Sequence, residues 1–146
     1  MISLKVGKDI FDYINNVRNA AIKRAMKKRI QEYAPKPDIV EKFERVQDKR
    51  FIVVFSTEWS SDCQAQIPFL AKLLLAANND NLTVRVVDYD ENRDIAEELG
   101  VLNIPVFIIY DRNWRELGRV VRGPQRYATL EEELWAIMEG ALNSGY

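Results

Sequence analysis

Five consecutive residues, FIVVF at 51–55, constrain this chain more than any other stretch. All five are β-branched or aromatic, and a strand without a polar face has to be covered on both sides. Such a strand belongs in the middle of a sheet with layers above and below it. At 146 residues, 47% of them hydrophobic, the chain is long enough to build one such domain around it.

The remaining elements fall in place around that strand. Ser60 and Ser61 can each accept amide protons at a helix start, and Gln64 three residues past Ser61 fits a capping box. The helix is predicted to reach Ala77, with a kink at Pro68. LTVRVVD, 82–88, reads as a second strand, and the short helix from Arg93 to Leu99 stops at Gly100. VFIIY at 106–110 and ELGRVVR at 116–122 read as an antiparallel hairpin. Thr129, with Glu132 three residues on, is expected to cap a last helix carrying Leu130, Leu134, Ile137, Met138 and Leu142. The order from residue 51 is therefore β-α-β-α-β-β-α, a mixed α/β sheet with a helical crossover between its first two strands.

Residues ahead of this unit are helical in pattern. Phe11, Ile14, Ala21, Ile22, Ala25, Met26, Ile30 and Tyr33 recur near helical spacing between lysines and arginines, which predicts one long amphipathic helix with room for an interruption. Ala34-Pro35-Lys36-Pro37 ends it. Asp38 is then expected to cap a second helix, with Glu41 completing its capping box and Ile39, Val40, Phe43 and Val46 on its buried face. This division makes residues 1–37 a helical N-terminal extension and 38–146 the main domain. Trp114, beside the hairpin turn, and Trp135, on the last helix, are expected to pack.

Charge separates the same two regions. Residues 1–50 hold 13 Lys+Arg against 7 Asp+Glu, and residues 51–146 hold 8 against 15, so a net charge of −1 conceals halves of +6 and −7. The basic run at 18–29 has no interleaved aromatic to stack on bases, so it reads as a solvated helix face and no nucleic-acid partner is expected. No apolar run approaches the roughly 18 residues a membrane span needs. The opening residues lack a signal peptide's apolar stretch, so a cytoplasmic location without a membrane partner is expected. With no histidine and one cysteine, imidazole-based mechanisms, the usual zinc sets and an internal disulfide are excluded. No metal and no cofactor are expected.

The element order, the Trp59-x-x-x-Cys63 spacing, Pro68 five residues past the cysteine, Ile104-Pro105 before the third strand and Gly123 near the end of the fourth together resemble thioredoxin. The resemblance covers about residues 38–142. It implies a thioredoxin-like three-layer α/β fold with a mixed central sheet, here carrying the helical N-terminal extension. In that family the site reads W-C-G-P-C, and Trp59, Ser60, Ser61, Asp62 and Cys63 stand in those positions. Asp62 resembles the aspartate of thioredoxin-like branches with W-C-x-D-C sites.

In the family the first cysteine attacks a substrate disulfide and the second resolves the mixed disulfide. Ser60 occupies the first of these positions, and its hydroxyl is far less acidic than a thiol, with no histidine to deprotonate it. Val54 stands where thioredoxins place a buried aspartate that moves a proton from the second cysteine. A self-sufficient dithiol cycle is therefore not expected.

The resemblance implies further that the Ile104–Pro105 bond is cis and that the backbone beside it pairs with an extended peptide. Cys63 and Ser60 would then be the catalytic positions, and Trp59, Ser61, Asp62, Ile104 and Pro105 the substrate-binding ones. Structural roles stay open: packing for Trp59, a rigid turn for Pro105 and a small buried hydrophobe for Cys63. Two functions follow. One is a role in thiol/disulfide redox or in binding thiol-bearing partners through the single thiol, with a partner cysteine or a small external thiol as its second half. The other is a redox-inactive protein-interaction module. The N-terminal helix is a candidate surface for a homo-oligomer, or a cover for the sheet edge, to which ISLKV at 2–6 could add a strand.

Overall fold

The computed structural model describes residues 6–140. Its centre is β2 (Arg50–Ser56), which pairs in parallel with β3 (Leu82–Asp88) and antiparallel with β4 (Val106–Tyr110). The hairpin partner β5 (Glu116–Val121) extends one side, and a two-residue strand, β1 (Lys8–Asp9), lies antiparallel to β3 on the other. The sheet order is β1-β3-β2-β4-β5, a mixed sheet as the crossover and hairpin patterns require.

Side chains of β2 leave alternately to the two faces, as the two-residue period dictates. Ile52 and Val54 enter the larger core with Val84, Val86, Phe107 and Ile109. Phe51, Val53 and Phe55 enter the smaller one with Val87, Ile108 and Tyr110. The larger core is covered by α1 (Ile10–Asn15), α2 (Ala20–Glu32), α3 (Pro37–Glu44), α4 (Ser61–Ala77) and α6 (Leu130–Met138). The smaller is closed by α5 (Arg93–Glu98) and by Trp114, whose ring stacks on Phe51 at 4.1 Å. Trp135 is partly buried against the larger core, with the Lys42 ammonium 4.6 Å from its ring centroid. Leu142, expected on the last helix, and most of the ISLKV stretch lie outside the described residues.

Two local expectations differ from what is found. The helical pattern of residues 8–33 is two helices, because the Asn19 side chain accepts from the Ala21 and Ile22 amides and starts α2 afresh after α1 ends at Asn15. The capping box at Asp38 and Glu41 is absent. Lys36 is the cap residue of α3 and makes no side-chain cap bond, and Pro37 occupies the first helical position. A proline there sacrifices nothing, since the first amides of a helix have no intrahelical partner and φ is already preset. Asp38 instead sits in the first turn, where its charge favours the positive end of the helix dipole.

Pro68 has a consequence that reaches the N-terminal region. It lies buried inside α4 and has no N–H to give to the Gln64 carbonyl four residues back. Arg29 of α2 donates to that carbonyl instead, at 2.7 Å. With Met26 fully buried beside it, Arg29 fastens α2 to the helix that carries the cysteine. Ile10, Tyr13, Ile14 and Val17 belong to the same core. Gly7 admits the chain to β1: its φ is +74°, and a Cβ there would lie 2.4 Å from the Val86 carbonyl oxygen.

Candidate functional site

The site lies where β2 ends and α4 begins. After Ser56 the chain turns through Thr57, Glu58 and Trp59, and Ser60 caps α4 by accepting the Cys63 amide at 3.4 Å. Of the two serines considered for this role, Ser60 is the cap, and Gln64 completes no box with Ser61. Its side-chain amide donates to the Glu58 carbonyl at 2.8 Å, which closes the loop onto the helix. The Ser60 hydroxyl is thus engaged in helix geometry.

Cys63 is a free thiol, 1% exposed, in the first turn of α4. It belongs to the same core as Ile67 and Val54. Behind it, the Tyr13 hydroxyl and the Ser56 hydroxyl share a buried hydrogen bond of 3.0 Å. Burial pushes the Tyr13 phenol well above its ordinary range, against the opposing effect of the Ser56 bond. The pair is therefore a neutral hydroxyl contact.

Trp59 turns outward, 69% exposed, and its indole N–H donates to Asp90 at 3.0 Å. That bond first, and then Arg93 at 3.0 Å, hold the Asp90 carboxyl below the usual carboxylate range. Ser61 is exposed at the start of α4, and Asp62 reaches across to Arg122 at 3.4 Å.

Arg122 links the helix to the prolyl turn. Its main-chain N–H donates to the Pro105 carbonyl at 2.6 Å, and its own carbonyl accepts from Gln66 of α4 at 2.5 Å. It holds φ at +70°, uncommon for a residue with a side chain. Next to it, a Cβ at Gly123 would come within 3.6 Å of the Gln66 side chain. The Ile104–Pro105 peptide is cis. Pro105 is buried, whereas Ile104 is half-buried, and none of the hydrogen bonds of the described residues uses the Ile104 N–H or carbonyl.

The structure thus gathers Ser60 and Cys63 at one helix start and ties Asp62 to the Ile104–Pro105 turn through Arg122. Trp59 is bonded to Asp90 on the loop after β3. Tyr13, Ser56, Asp90 and Arg122 were missed in the sequence. Tyr13 sat unnoticed near the helical stripe, and the other three have partners too distant in sequence for any periodicity to mark. Among the described residues no set of three His, Cys, Asp or Glu could hold a metal. No helix among them is long and apolar enough to cross a membrane.

A mixed sheet with β2 at its centre, a cysteine in the first turn of the helix after β2, and a prolyl turn bonded to the end of β5 define a thioredoxin-fold protein. The chain belongs to the thioredoxin family, whose model matches residues 7–135. Mitochondrial thioredoxin-2 of Schizosaccharomyces pombe is 34% identical over 74 residues, 51% of this chain and 53% of that protein, so the match spans about half of the relative. Thioredoxin of Alicyclobacillus acidocaldarius is 27% identical over 63% of this chain and 85% of its own length. Among solved structures, a Pseudomonas aeruginosa protein of unknown function superposes with a TM-score of 0.80 at 20% identity, covering 97% of this chain and 99% of that one. At that identity the likeness is one of fold, and it extends over the N-terminal helices.

Proposed function

We propose that this chain is a protein-interaction module on a thioredoxin fold, binding an extended peptide at the Ile104–Pro105 turn beside Trp59. The observation that carries the reading is the open main chain of Ile104. Ile104 is half-buried and, among the described residues, its N–H and carbonyl have no partners, which favours pairing with another strand, and the exposed Trp59 indole offers apolar area to a bound peptide. Ser60 is engaged as a helix cap and Cys63 is buried, so neither is presented as a nucleophile.

A second reading is favoured by the seat of Cys63 in the first turn of α4: a single thiol that pairs with a partner cysteine or a small external thiol once the turn opens. In that exchange the thiolate attacks a disulfide sulfur of the partner and expels the other sulfur as a thiolate.

Capture of protein partners by the native chain and by Cys63→Ala, followed by mass measurement after exposure to oxidised glutathione, separates the two. The module reading expects equal capture and an unmodified native chain. Loss of capture with the thiol, or rapid addition of about 305 Da by glutathione, would replace it with the single-thiol reading. Insulin reduction is expected from neither the native chain nor Cys63→Ala, and to appear in Ser60→Cys. Activity in the native chain would overturn both readings.

A further inference from the structure

Beside Trp59 the loops after β2 and β3 enclose a hollow of about 200 Å³, lined by Thr57 and by the carboxylates of Glu58, Asp88, Asp90 and Glu91, with Arg18 the cation among them. The neighbouring cations are engaged. Arg18 lies 3.5 Å from Glu91, and Arg93 lies 3.0 Å from Asp90. Glu58 and Asp88 are the exceptions.

Glu58 accepts the main-chain N–H of Arg18 at 3.2 Å, and Asp88 accepts the main-chain N–H of Glu91 at 2.9 Å. Among the described residues neither forms an ion pair, and the exposed Lys8, on an adjoining hollow, reaches neither. Both carboxylates are half-buried, where screening by water is weaker than at the open surface. A second and independent feature points the same way. Thr57 is 1% exposed and lines this hollow, and among the described residues its Oγ1 has no hydrogen-bond partner. A buried hydroxyl left without a partner is costly unless something supplies one.

We propose that this hollow is a specificity pocket for a cationic side chain, arginine or lysine, of the peptide that pairs with Ile104. The inference rests on the peptide-binding reading above. Trp59 lines the hollow, and an extended peptide sends alternate side chains to opposite sides, so one of them can pass the indole and enter it. A guanidinium or ammonium carries several donors, enough for two carboxylates and a threonine hydroxyl together. A metal ion is a poorer occupant, since no set of three metal-ligating side chains among the described residues converges there.

The probe is a set of ten-residue peptides on one apolar scaffold, each carrying Arg, Lys, Gln, norleucine or Glu at a single position, titrated onto the full chain. At one position Arg and Lys are expected to bind about tenfold more tightly than Gln, the effect of one charge-assisted contact in a partly desolvated site. The advantage should shrink as salt is raised. In Glu58→Gln/Asp88→Asn it should fall below about threefold while the Gln peptide binds unchanged. Glu58→Lys, whose folding a thermal melt checks, should turn the preference toward the Glu peptide. Peptide binding with no cation preference, or a preference intact in the double variant, overturns the pocket and leaves the peptide reading standing. Failure of every peptide to bind overturns both.

Discussion

Removing the Arg29 side-chain charge tests the structural argument most sharply, because its importance is traced to one proline in another helix. Pro68 leaves the Gln64 carbonyl without its intrahelical donor, and Arg29 supplies the replacement at 2.7 Å. A hydrogen bond from a charged donor contributes about 1.5–3 kcal/mol, and at this partly buried site the lower end applies because water can reach the carbonyl when α2 loosens. Arg29→Met keeps most of the aliphatic stem and should cost about 1.5 kcal/mol. In a Pro68→Ala background the new N–H closes the bond to Gln64 within α4, so the same substitution should cost only about 0.5 kcal/mol. The packing lost with the proline ring appears in both arms of the cycle and cancels. Urea unfolding followed by tryptophan fluorescence, with equal slopes for all four chains, gives the coupling directly. A loss from Arg29→Met that is the same in both backgrounds, within about 0.3 kcal/mol, would refute the reasoning.

Met26→Ala should cost about 2–4 kcal/mol by urea unfolding, since its side chain is fully buried in the main core; a loss under about 1 kcal/mol would mean that α2 does not share in that core. Glu133 is fully buried and its Oε1 accepts the amides of Gln125, Arg126 and Tyr127 at 2.8, 2.7 and 3.2 Å, so Glu133→Ala should cost about 2–4 kcal/mol and accelerate hydrogen exchange at those three amides. Burial raises the Glu131 carboxyl above its ordinary value of 4.5, against the Tyr33 hydroxyl bond that lowers it. Its contribution to stability is then full below about pH 4.5 and is lost as pH rises through the folded-state value. Glu131→Gln should gain on the native chain between pH 4 and pH 7 in paired urea titrations, and a gap that does not change with pH would contradict it.

Much of the fold was legible because its signals are local. FIVVF had to be an inner strand whatever surrounded it, and Thr129 caps α6 through the Glu132 amide as the T-x-x-E spacing anticipates. Ser60 was legible as one of two candidate caps. Asp38 misled because a capping box and a proline at the first helical position compete for the same turn, and the fixed φ of Pro37 decided it. For the candidate site the sequence offered a list of candidates, Trp59, Ser60, Ser61, Asp62, Cys63, Ile104 and Pro105, without the contacts that arrange them. Asp62 finds Arg122 sixty residues away and Trp59 finds Asp90 thirty-one away.

The sequence by itself determined which strand lies innermost and where α4 and α5 begin and end. Those are consequences of side-chain shape, hydrogen-bonding capacity and two short periods, each acting over a few residues. Only the tertiary structure decided that Cys63 is buried, that Arg29 completes a bond Pro68 leaves open, and that Glu58 and Asp88 share a hollow without forming an ion pair among the described residues. Each of these depends on surfaces far apart in the chain meeting at distances of a few ångströms, and no local pattern encodes which donor will arrive at which acceptor.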